Sequence, residues 1–126
     1  MNAPLRDARA HLDKAREFLS AAEIELAGEW YNAATSSAVL SGINSKDAVC
    51  LKLTGRTAKA QDHKSAVPEL RKAGPQAAPL APVLARLLKL KTRSQYQTAS
   101  VAKREAESAV RWATQMYDTA EQIVRS

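Results

Sequence analysis

The chain has one cysteine, Cys50, four glycines and few aromatic residues, 5% of the total. A single thiol cannot close an internal disulfide, which suits a reducing compartment. No second cysteine or histidine stands at metal-ligand spacing from Cys50, so no metal site is expected. Gly42, Gly55 and Gly74 are isolated, which leaves no glycine-rich loop to cradle a nucleotide phosphate. Long apolar runs are also missing. The greasiest segment, residues 77–90, is interrupted by Pro79, Pro82, Arg86 and Lys89. Nothing reaches the roughly 20 apolar residues of a membrane span. The first ten residues carry Arg6, Asp7 and Arg9 with no apolar run behind them, unlike a secretory leader. The expectation is a cytoplasmic protein, away from membranes and without a cofactor.

What is present points to helices. The chain has 126 residues, one domain's worth (residues 1–126), and 45% of them are apolar, enough to build a core. Alanine, the best helix former, is abundant. The net charge is +6 and the pI near 9.7, a balance that raises the local concentration of anions such as nucleic acid.

Leu5, Leu12, Leu19 and Leu26 recur every seven residues, with Ala8, Ala15 and Ala22 three residues after the first three. This heptad seam predicts a helix over 4–27 that stops at Gly28. A second helix is expected over 29–54. Ala34, Ala38, Ser41, Ser45 and Ala48 form its small-residue stripe, Gly42 allows close packing, and Gly55 serves as the terminating residue. Residues 56–62 read as a loop and 63–72 as a short helix that Pro68 must kink or delay. A fourth helix is expected over 80–91, a polar connection over 91–98, and a last helix over 100–125 with Ser100 as its N-cap. Its apolar positions Ala102, Ala106, Ala109, Ala113, Met116, Ala120 and Ile123 alternate spacings of four and three. The fold class is therefore all-α, an antiparallel bundle of three long and one or two short helices.

The order of these features resembles the HEPN domain family over nearly the whole chain. The Ala, Leu and Lys run of residues 8–19 resembles that family's first helix. Residues 30–50, with Asp47 alone in a small and apolar run, resemble the second. A basic stretch ending at Tyr96 and followed by a long Ala-rich helix resembles its close. The sharpest point of resemblance is Arg56 followed by six residues and His63, since nuclease members carry an Arg four to six residues before a His. Thr57 stands where the family usually has Asn, Asp or His. Ser65 stands where some members have a tyrosine that a partner nucleotidyltransferase modifies.

The resemblance implies a metal-independent endoribonuclease acting as a homodimer, in a toxin–antitoxin or defence setting. The residue types suit that chemistry. RNA supplies its own nucleophile, the 2′-hydroxyl, so the enzyme needs a proton acceptor, a proton donor and a cation for the phosphorane. Histidine titrates near neutrality and can move protons, and arginine forks onto two phosphate oxygens. His63 is then the general acid/base and Arg56 the phosphate clamp, with Asp47 orienting one of them. Asp62 is a second residue of the right type for that last role. One histidine serves poorly for both transfers, and a two-fold dimer would bring two Arg/His pairs together. Lys59, Lys64, Arg86, Lys89, Lys91 and Arg93 are the cations expected to hold RNA backbone.

Plainer readings stand beside these. Asp47 could be a tether between helices, His11 a surface histidine and Cys50 an inert buried thiol. The chain as a whole could be a non-catalytic binding module for a nucleotidyltransferase-type antitoxin, or a basic helical nucleic-acid-binding protein.

Overall fold

The computed structural model describes residues 2–58, 64–96 and 98–126. Its elements are α1 (Ala3–Ala27), α2 (Tyr31–Thr54), α3 (Ala66–Ala73), a 3-10 turn (Ala78–Leu80), α4 (Ala81–Tyr96) and α5 (Lys103–Arg125). Among the described residues there is no strand, and no helix is long and apolar enough to cross a membrane.

Side-chain contacts give the directions. His11 meets Asn44 while Glu25 meets Ser37, so α1 and α2 are antiparallel. Arg86 lies over Trp112 while Arg93 meets Glu105, so α4 and α5 are antiparallel too. Asn32 reaches Val101 and Lys52 reaches Ser126, which makes α2 and α5 parallel. The bundle is therefore up, down, up, down, with α3 bracing one end.

α2 is the central element, packed chiefly on α1 and α5 and then on α4 and α3. From Ser45 to Leu51 every residue is buried. A helix covered on several sides cannot keep one polar face. Its small residues let neighbours come close: the buried Ser41 hydroxyl donates to the Ala15 carbonyl of α1 at 2.8 Å. A Cβ on Gly42 would lie 2.7 Å from Leu87 Cδ1 and 3.4 Å from Met116 Sδ.

The helix ends show where the sequence reading holds and where it slips. Asn2 caps α1, accepting the Leu5 N–H at 2.9 Å, with Pro4 in the first turn. Gly55 ends α2 in the left-handed region, φ 81°, as expected. Gly28 differs, staying right-handed at φ −80°. Glu29 takes the left-handed position at φ 66°, donating to the Leu26 carbonyl while Trp30 donates to that of Glu25. That is a Schellman closure with a glutamate where glycine is preferred.

Three expectations need correction. α3 begins at Ala66 rather than 63, because Pro68 then falls in the first turn, where its missing N–H costs nothing. α4 continues to Tyr96 instead of stopping near 91. Its polar last turn is held by neighbours: Arg93 ion-pairs with Glu105, and the Ser94 and Ser36 hydroxyls meet at 3.3 Å. α5 starts at Lys103, so Ser100 is not its cap. Ala102 is the capping residue, its N–H donating to the Glu105 carboxylate at 3.1 Å, and Val101 is buried in place of the exposed Ala102.

Two substitutions read this packing. Gly42→Ala gains about 1 kcal/mol of helix propensity. The added methyl would lie 2.7 Å from Cδ1 of the fully buried Leu87, which must shift to admit it, and overpacking of roughly 1–3 kcal/mol prevails. The denaturation midpoint should fall, and fall further for Gly42→Val. Glu29→Gly relieves the left-handed glutamate and should raise stability by roughly 0.5–1 kcal/mol in the same measurement.

Candidate functional site

The C-terminal half of α2 buries charge. Lys46 is 2% exposed and Asp47 7%. A buried ammonium must be paired and hydrogen-bonded where it lies. The Lys46 Nζ donates to Asp47 Oδ1 at 3.1 Å, to the Thr57 hydroxyl at 2.9 Å and to the Ala58 carbonyl at 3.1 Å, and it ion-pairs with Glu69 of α3. Glu69 also accepts the Ala58 N–H at 2.8 Å, and the Thr57 hydroxyl donates to Asp47 at 2.6 Å. Both hydrogen-bonding groups of residue 58 and the side chain of residue 57 are thus anchored to α2 and α3.

Arg56 is the link between that anchored pair and Gly55. The Thr54 hydroxyl donates to its carbonyl at 2.9 Å. The side chain is exposed, and among the described residues its guanidinium has no partner. It opens onto a cleft of about 410 Å³ whose walls include Thr54, Thr57, Ala58, Glu69 and Lys72. Arg56 and Lys72 put two cations on this cleft, with the Glu69 carboxylate between α3 and the loop. That arrangement suits an anion bearing several oxygens.

The other expected residues are scattered. His63, Asp62 and Lys59 lie outside the described residues. Asp47 faces Lys46, Thr57 and the ring of His11, 3.9 Å away, rather than Arg56. Hence it does tie elements together, and it does face a histidine, though one on α1. His11, expected on the surface, is mostly buried, and its Nδ1 lies 2.9 Å from the Asn44 Oδ1. Lys64 and Lys89 are exposed and Lys91 is half-buried. Arg86 sits 6.0 Å over the Trp112 ring, and Arg93 is committed to Glu105. Arg86, Lys89 and Arg93 share one helical face, which Lys91 leaves.

Lys46, Glu69 and Lys72 escaped the sequence reading. A partial signal for Lys46 was present: it stands in the run of small and apolar residues where α2 has no polar face, so its charge must be paired if buried. Identifying the partner required the fold, since Glu69 is 23 residues away in sequence but on the neighbouring helix.

The sequence profile of the HEPN domain matches residues 8–123. The chain belongs to the HEPN domain family. That family includes ribonucleases and partners of nucleotidyltransferases. No curated protein matches the chain. In this HEPN domain the arginine of the Arg-x6-His motif is an exposed cation on the cleft, and the residue after it, Thr57, is turned inward. Among the described residues no group of three or more His, Cys, Asp or Glu converges as metal ligands would.

Cys50 lies beside the same network, fully buried. Burial, followed by the negative charge of Glu69, pushes its thiol up to about 12, with Lys46 pulling the other way. A thiol so far from ionisation is a poor nucleophile. The native protein at pH 8 should react negligibly with a thiol-specific chromogenic reagent, and promptly once unfolded. The unfolded thiol ionises near 9 and the folded one near 12. Between these values the folded state holds more protons, so stability is full below pH 9 and declines as pH rises through that window.

Proposed function

We propose that this HEPN domain is a metal-independent endoribonuclease acting as a homodimer, with Arg56 as phosphate clamp and His63 as general acid/base. The observation that supports this reading best is the Arg56 guanidinium. It is unpaired among the described residues and faces a cleft shared with Lys72, while the next two residues are anchored. A cation without an internal partner is available for a phosphate, with no ion pair to break first.

The reaction begins when a base removes the 2′-hydroxyl proton. The 2′-oxygen then attacks phosphorus, and the bond to the 5′-oxygen breaks. The 5′-oxygen takes a proton from an acid, leaving a 2′,3′-cyclic phosphate and a 5′-hydroxyl. His63 carries one transfer and His63 of the partner subunit the other. Arg56 and Lys72 neutralise the phosphorane oxygens. Lys64, Arg86, Lys89 and Lys91 add backbone contacts that position RNA without reading its sequence. The setting this implies is a cytoplasmic toxin or defence component.

A second reading, a non-catalytic module for a nucleotidyltransferase-type antitoxin, has one observation in its favour. Thr57, at the position where nuclease members carry a more polar residue, is used up in anchoring the loop.

Cleavage of a mixed RNA substrate in EDTA separates the two. The wild type should release products with 2′,3′-cyclic ends. Arg56→Ala and His63→Ala should each lower kcat by roughly 10²–10³, and Lys72→Ala should weaken the reaction by about tenfold. A folded, dimeric wild type that leaves RNA intact would instead support the binding module.

A further inference from the structure

Lys46 has no place in the proton and phosphate chemistry just described, yet it is the most deeply buried charge among the described residues. Replacing a buried ion network by apolar or neutral groups is often neutral or stabilising, so bundle stability alone does not account for one. What the network does is specific. Through the ammonium it holds the Thr57 hydroxyl and the Ala58 carbonyl. Through Glu69 it holds the Ala58 N–H, and through Asp47 the Thr57 hydroxyl again. Every one of these contacts ends on the two residues that follow Arg56. The bonds come from two different helices, so they define where the loop leaves α2 in all three dimensions.

We infer that Lys46 and Glu69 are positioning residues, a buried clamp that sets the exit of the loop and thereby aims Arg56 into the cleft. Neither touches the substrate. Lys46 is sealed from it, and Glu69 spends one oxygen on Lys46 and the other on the loop. A phosphate clamp must be held within a fraction of an ångström to favour the transition state. Loss of the clamp therefore acts on turnover more than on capture of RNA. The turnover part of this inference rests on the ribonuclease reading, whereas the clamp itself does not.

The test uses the whole chain in four forms: Lys46→Met, Glu69→Ala, Glu69→Gln, and the charge-free triple variant Lys46→Met, Asp47→Asn, Glu69→Met. The triple variant guards against misfolding of the single ones, because it leaves no buried charge unpaired. Two quantities are read in each folded form, amide exchange at Ala58 and steady-state RNA cleavage. In Lys46→Met, Glu69→Ala and the triple variant, exchange at Ala58 should speed up at least tenfold. In the same forms kcat should fall by at least about 30-fold, with KM within about threefold of wild type. Glu69→Gln keeps an oxygen for the Ala58 N–H and should recover most of what Glu69→Ala loses in both readouts. Unchanged exchange at Ala58 in the triple variant overturns the clamp. Accelerated exchange with undiminished kcat overturns its positioning role. A wild type that cleaves nothing overturns the ribonuclease reading instead, and exchange at Ala58 then decides the clamp by itself.

Discussion

An ammonium that is 2% exposed in the middle of a helical bundle must be neutralised where it lies. Lys46 meets this requirement with Asp47 beside it on α2 and Glu69 across on α3, and the arrangement has consequences for the whole end of the molecule. α3 has to dock with its first turn against α2, because Glu69 sits in that turn. The chain between the helices has to pass close enough to give up a hydroxyl and a carbonyl. Cys50, one turn further along α2, is held un-ionised at ordinary pH first by its burial and then by the negative charge of Glu69, with Lys46 opposing.

The rest of the bundle is arranged so that α2 can carry such a centre. A helix that contacts α1, α3, α4 and α5 needs small residues wherever a neighbour crosses. Ser41 hydrogen-bonds the Ala15 carbonyl of α1, and Gly42 leaves its space to Leu87 of α4. Where α2 leaves the crowd, at Gly55, the chain turns through a left-handed residue and exposes Arg56 at once. Crowding behind and solvent in front divide the charges in this stretch into buried, paired ones and an exposed one facing a cleft.

Much of this was legible. The Leu/Ala heptads of α1 and the alternation of four and three in α5 follow from the 3.6-residue turn. They survive because those helices present one stripe to the core. The Gly55 stop was legible because only the left-handed conformation closes that turn cheaply. The tail of α4 was not, since residues 91–96 have no amphipathic period. Their helical state rests on Glu105 and Ser36, contributed by distant elements. The stop at Gly28 was legible as well, although the chain places the left-handed conformation one residue later, on Glu29. His11 looked like a surface residue because α1 alone does not reveal that Asn44 and Asp47 of α2 come up beside it.

By itself, the sequence determined an all-α domain, its family, its long helices and the residue types able to handle a phosphate. All of these depend on local periodicity or on residue identity in order along the chain. Tertiary structure alone decided that Lys46 is buried, that Glu69 is its partner and that Lys72 shares a cleft with Arg56. It also decided that Asp47 looks toward His11. Those facts depend on which helix faces come together, and a face that is buried on every side leaves no periodic signature from which its neighbours could be read.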